Sequence, residues 1–68
     1  MQEFIQRIYE ERTALALKIH SLRNYIYENN IYDDLINIQL NVMESYLSVL
    51  NARLQILDPI KCLSVQPQ

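Results

Sequence analysis

The chain has 68 residues, with eight acidic and six basic side chains, a net charge of −2 and half of its residues hydrophobic. The absence of glycine excludes phosphate-binding loops and dinucleotide fingerprints, and a single cysteine, Cys62, with a single histidine, His20, excludes an internal disulfide and a structural zinc site. The slight negative charge argues against a nucleic-acid partner, since phosphate backbones require clustered Lys and Arg.

The length of the chain itself predicts self-association. A single core in a domain of this size rarely supplies more than about 3 to 5 kcal/mol, so small domains usually need a staple. Disulfides and structural metals are already excluded, and oligomerisation remains. No apolar run is long enough to span a bilayer, and Met1 begins directly in an amphipathic pattern. We therefore expect a cytoplasmic protein with no membrane partner.

The first predicted helix covers residues 3–28. Apolar side chains alternate at spacings of three and four along it, which is the pattern of a helix that buries one face. Arg12 is the one charged residue within this seam. The seam consists of Ile5, Ile8, Arg12, Leu15, Ile19, Leu22 and Ile26.

A turn is predicted at residues 29–32 and a second helix at 33–57. Asparagine tolerates the left-handed conformation that ends many helices, and Asp33 is a suitable N-cap for the helix that follows. Pro59 ends that helix, and residues 59–68 form a flexible tail. Residues 1–58 are then one domain. The seam of the second helix consists of Ile36, Leu40, Met43, Leu47, Leu50, Leu54 and Leu57.

A second row on the same helix predicts the quaternary structure. Leu35, Val42, Val49 and Ile56 repeat every seven residues beside the main seam, with Tyr46 in the adjoining row. One partner helix covers only one of two adjacent apolar rows. The expected fold is therefore all-α, an antiparallel helical hairpin that assembles into an oligomeric helical bundle through these five residues.

Arg12 allows three interpretations. Its guanidinium reaches solvent, pairs with a carboxylate from another helix, for which Glu44 is a candidate, or holds an anion. An enzyme is not expected, because no nucleophile is placed near a base and the neighbouring Glu10 and Glu11 point about 100° apart on a helix. No cofactor and no metal ion are expected.

The tyrosines also allow two interpretations. Tyr25, Tyr27 and Tyr32 surround the turn, where they either cap the hydrophobic core or offer rings for stacking on a planar ligand. Aromatic rings and arginines are the remaining groups that suit a flat anionic ligand. The candidate ligand-binding residues, which would meet between chains, are Tyr9, Arg12, Arg23, Tyr25 and Arg53.

The order of residues between positions 3 and 57 resembles a family of small helical-hairpin proteins from tailed phages, including crAss-like phages. The less generic positions that carry this resemblance are Gln39, Met43, Tyr46 and Arg53. They accompany Phe4-Ile5-Gln6-Arg7-Ile8, Glu11, Leu15, Lys18-Ile19, Leu22, Tyr25-Ile26, Tyr32, Leu35, Leu50 and Leu54.

A looser similarity is to the hairpin of phage anti-defence sponge proteins, and rests on two helices, a short polar turn and the pair Ala52-Arg53. Such proteins sequester cyclic oligonucleotide or cyclic ADP-ribose signals of bacterial immunity between subunits. The resemblance implies a homo-oligomeric sponge in the host cytoplasm that binds a cyclic nucleotide without catalysis. The alternative is a helical interaction module that inhibits or bridges a host or phage protein.

Overall fold

The computed structural model describes residues 2–59, which form two α-helices packed against each other. Helix α1 spans Gln2–Asn29 and helix α2 spans Asp34–Leu57. The predicted all-α helical hairpin is confirmed, whereas its assembly into an oligomeric bundle stays a prediction. Residues 60–68, which include Cys62 and most of the predicted tail, lie outside the described part of the chain.

Local hydrogen bonds explain how the chain reverses direction without glycine. Asn30 has a positive φ of 52°, as predicted for an asparagine after the first helix. The N–H of Ile31 donates to the carbonyl of Ile26 at 3.1 Å, which is the six-to-one bond of a Schellman motif. The carboxylate of Asp33 then accepts the N–H of Leu35 at 3.0 Å, so the predicted N-cap is confirmed.

Removal of this cap should destabilise the hairpin. We expect Asp33→Ala to lower the free energy of unfolding by about 1 kcal/mol, because the N–H of Leu35 loses its acceptor. Urea unfolding followed by circular dichroism measures the change. Asp33→Asn is the control, since an amide oxygen caps about as well as a carboxylate. Equal losses in the two variants would contradict the capping role.

The described core is small and lies between the two seams. Four side chains among residues 3–59 are buried, with at most 4% of their surface exposed: Ile8, Ile19, Leu50 and Leu54. Other seam residues, such as Ile5 and Leu15, pack against this core while remaining partly exposed. Leu57 differs from the prediction, because 40% of its surface is exposed. It is the last residue of α2, at the open end of the hairpin.

The second row of α2 is exposed along its whole length. The exposed fraction is 74% for Leu35, 61% for Val42, 51% for Val49 and 79% for Ile56. Ile38, at 55%, extends the same surface, which we call the outer face. From Leu35 to Ile56 it is about 32 Å long, at 1.5 Å per residue. The intrachain partner of α2 leaves this face uncovered, as the sequence predicted.

No helix between residues 2 and 59 combines the length and the apolar character needed to cross a membrane.

Candidate functional site

Polar contacts between the helices divide into two sets, one on each edge of the hairpin. On the first edge, the hydroxyl of Tyr9 donates to Asp58 at 3.1 Å, and Arg12 donates to Asn51 at 3.2 Å. The Arg12 guanidinium also lies over the Tyr9 ring, 5.3 Å from its centroid. Arg23 and Glu44 form an ion pair on the same edge. We call this surface the polar edge.

Arg12 therefore has a partner other than the one proposed from the sequence. Glu44 pairs with Arg23, and Arg12 bonds the amide oxygen of Asn51. Residue numbers run in opposite directions along the two helices. Glu44 lies seven residues before Asn51, about 10 Å away along α2, and therefore faces a later position of α1 than Arg12. The half-buried Arg12 is thus satisfied by a neutral acceptor and an aromatic ring, an arrangement that avoids placing an unpaired charge in the core.

The opposite side of the hairpin, which we call the aromatic edge, contains Phe4, Glu11, Tyr46 and Arg53. The Arg53 guanidinium lies over the Phe4 ring, 5.7 Å from its centroid. The hydroxyl of Tyr46 donates to a carboxylate oxygen of Glu11. That hydrogen bond, with smaller contributions from desolvation and from the Glu11 charge, raises the pKa of Tyr46, and the positive charge of Arg53 opposes the rise.

The raised pKa of Tyr46 gives a prediction with a defined sign. We expect Glu11→Ala to lower the pKa of Tyr46 toward its ordinary value of 10.0, because the variant removes both the acceptor and the negative charge. The bond contributes to stability in full below that ordinary pKa. Its contribution disappears as pH rises through the raised pKa of the folded state.

Tyrosinate absorbance, followed in the ultraviolet during an alkaline titration, measures this change. The chain has five tyrosines, so Tyr46→Phe is needed to identify the contribution of Tyr46 by difference. An unchanged titration of Tyr46 in the Glu11→Ala variant would mean that the hydrogen bond does not form in solution.

Unpaired positive charge lies on the aromatic edge. Among residues 2–59, Arg7, Lys18 and Arg53 form no ion pair, whereas Arg23 is paired. Lys18 follows Phe4 and Glu11 at seven-residue spacing, and Arg7 precedes Lys18 by 11 residues, close to three turns. Both cations therefore lie on the same side of α1 as Phe4.

Two open depressions follow this edge. One, of about 260 Å³, is lined by Phe4, Arg53, Ile56 and Leu57, so that Arg53 borders both the aromatic edge and the outer face. The other, of about 440 Å³, includes Lys18 and Gln39 among its lining residues. Cations, rings and an amide thus border open surface on one side of the hairpin.

The five candidate ligand-binding residues are not gathered by one chain. Tyr9 and Arg12 are in contact, and Arg23 shares their edge but lies 11 residues from Arg12, about 16 Å along α1. Arg53 lies on the aromatic edge. Tyr25 follows Lys18 by seven residues, on the same side, with 53% of its surface exposed. A site that uses all five requires more than one copy of the chain.

Sequence reasoning missed the acceptors Asn51 and Asp58, and it proposed Glu44 as a partner of Arg12 instead of Arg23. Glu44, Asn51 and Asp58 accept from Arg23, Arg12 and Tyr9, respectively. They follow one another at seven-residue spacing, and this polar row beside the apolar seam was the signal that identifies them. The contacts of Phe4 with Arg53 and of Glu11 with Tyr46 were also missed, because they depend on the register of the two helices.

Comparison with known proteins identifies the family. No curated protein and no solved structure is significantly similar to the chain. The model of a family described as Sequestin matches residues 2–56, which include both helices except the last residue of α2. Since this match covers most of the 68 residues, the chain belongs to the Sequestin family.

Proposed function

We propose that the protein is an oligomeric sponge that binds and sequesters a nucleotide-derived immune signal, of the cyclic oligonucleotide or cyclic ADP-ribose type, without catalysis. The observation that carries the proposal is the Sequestin match over residues 2–56, because the family name denotes sequestration and suggests a binding protein. In this proposal the protein comes from a phage and acts in the cytoplasm of the infected host, where it opposes defence.

The polar chemistry of the surface suits such a ligand. Adenine-type rings stack on aromatic side chains, and phosphate groups accept hydrogen bonds from arginine. The proposed ligand-binding residues remain Tyr9, Arg12, Arg23, Tyr25 and Arg53. Arg12 and Arg23 would exchange Asn51 and Glu44 for the ligand, whereas Arg53 makes no ion pair among residues 2–59.

Oligomerisation is part of the proposal, because the ligand residues converge only between chains. The outer face supports it energetically. Burial of an exposed aliphatic side chain contributes about 1.5 to 3 kcal/mol. Leu35, Val42, Val49 and Ile56 are 51% to 79% exposed, so pairing of their rows contributes several kcal/mol per copy on the same basis. We propose that these residues and Tyr46 form the interface.

A thermal-shift screen tests the sponge directly. The protein is heated alone and with cyclic ADP-ribose, cyclic dinucleotides or cyclic trinucleotides. A ligand at a hundred times its dissociation constant adds about 2.7 kcal/mol to the folded state, which raises the Tm of a domain this small by roughly 10 °C or more. AMP and ATP are the controls for general nucleotide binding. No shift with any cyclic compound would contradict the proposal.

One observation favours a second function. The outer face is an unbroken apolar surface on a single helix, and this is also the form of a helix that docks into a groove of another protein. In that case the protein inhibits or bridges a host or phage protein and takes no small ligand. Substitutions at Val42 and Val49 would then abolish the biological effect, while Arg→Ala substitutions on the two edges would leave it unchanged.

A further inference from the structure

The outer face is complementary to itself in one antiparallel register. Its four heptad positions, Leu35, Val42, Val49 and Ile56, are evenly spaced about a point level with Ser45 and Tyr46. Rotation about a two-fold axis at that point brings Val42 of one copy opposite Val49 of the other. It also brings Leu35 opposite Ile56. Every aliphatic side chain of the row then meets another, and each copy covers the face that the hairpin leaves exposed.

The parallel alternative separates the two aromatic edges. A parallel pair is related by a two-fold axis along the helices, which places the two Arg53 side chains on opposite sides of the dimer and leaves each aromatic edge to a single copy. In the antiparallel register Arg53 lies level with Ile38 and Gln39 of the second copy. No like charges meet along that row.

We infer that two copies pair through α2 in this antiparallel register and thereby complete a shared groove for a phosphate-bearing planar ligand. The inference rests on the proposed sponge function and specifies where its site lies. A two-fold axis perpendicular to both helices keeps the aromatic edges of the two copies on the same side of the dimer. The two Tyr46 rings then lie side by side at the centre, with Gln39 and Arg53 of opposite copies level with each other at each end.

The chemistry of this groove comes from both copies. Arg53 lies over Phe4 and borders the depression that also includes Ile56 of the outer face. Lys18 shares a depression with Gln39, so Lys18 of the second copy lies at the same level as Arg53 of the first. Each end of the groove thus receives one cation from each chain, and neither cation forms an ion pair among residues 2–59. One chain alone supplies half of this site.

Disulfide cross-linking tests the register. In a Cys62→Ser background, Val42→Cys and Val49→Cys proteins are oxidised separately and as a mixture. Both positions are at least half exposed in the hairpin, so the substitutions leave its core unchanged. The mixture should form heterodimers, whereas either protein alone should not. Two copies of Cys at position 42 would lie about 10 Å apart along the helices, beyond the Cα separation of about 7 Å that a disulfide spans.

Two results overturn the register. Efficient cross-linking of Val42→Cys to itself indicates a parallel pair, and the absence of cross-links in every sample means that α2 does not pair with α2. Asn41→Cys with Ser48→Cys is the matched control, since both positions are exposed, are seven residues apart and lie about 100° around α2 from Val42 and Val49.

Equilibrium dialysis with cyclic ADP-ribose and the cyclic dinucleotides tests the groove. Arg53→Ala should weaken binding at least tenfold. Arg23→Ala, on the polar edge, removes an arginine that is already paired with Glu44 and should weaken binding less than Arg53→Ala does. The reverse order would overturn the shared groove and leave the sponge function standing. No binding of any of these probes by the unmodified protein would overturn the sponge function itself, while the cross-links would still decide the register.

Discussion

Val42→Glu combined with Val49→Glu should convert the assembly into monomers. Both valines lie on the outer face, at 61% and 51% exposure, so the hairpin tolerates a charged side chain there. An oligomer that buries this face does not, because four unpaired carboxylates per pair of chains would lose their hydration. Sedimentation velocity should show a multiple of 8.1 kDa for the unmodified chain and 8.1 kDa for the variant.

A matched double variant distinguishes the effect of the position of the new charges from the effect of the added charge itself. Asn41→Glu with Ser48→Glu adds the same two charges at the same spacing, about 100° around α2 from Val42 and Val49, where both residues are exposed. We expect this protein to keep the mass of the unmodified assembly. A stable monomer for the unmodified chain would refute the oligomeric bundle outright.

Leu50→Ala should cause a large loss of stability. Leu50 has no exposed surface and packs with Ile8 and Leu54 in the core. Truncation of a fully buried leucine costs about 2 to 5 kcal/mol, while one core in a domain of this size supplies about 3 to 5 kcal/mol. Urea unfolding followed by circular dichroism should show a variant near or below the threshold of folding.

Leu17→Ala is the control for that experiment. It removes the same atoms from α1, but 62% of the Leu17 surface is exposed. Its midpoint should shift by a small fraction of the Leu50→Ala shift. Equal losses would mean that Leu17 is buried in the assembly and that the interface extends onto α1.

The hairpin was predictable from the sequence, because its determinants are local. Asn30 supplies the left-handed residue, Asp33 caps α2, and the alternation of three and four places Ile8, Leu50 and Leu54 in the core. Each of these features depends on residues within a few turns of one another. The exposure of the outer face was also predictable, since one partner helix covers only one of two apolar rows.

The contacts at the edges were not predictable in the same way. Which acceptor meets Arg12 depends on the relative register of two helices, and a shift of two turns exchanges Asn51 for Glu44. Helical spacing placed Arg12 within the seam of the first helix. It carried no information about the groups that pair with Arg12 and Arg23. The unpaired state of Arg53 also required the position of every carboxylate in the described chain.

Native mass spectrometry of the unmodified protein with cyclic ADP-ribose and cyclic dinucleotides tests the central claim most directly, because one spectrum reports subunit count, ligand count and ligand mass. We predict an assembly with an even number of 8.1 kDa chains that holds a cyclic nucleotide and releases it chemically unchanged on denaturation. A monomer without ligand, or a ligand released as a cleaved product, would contradict the account.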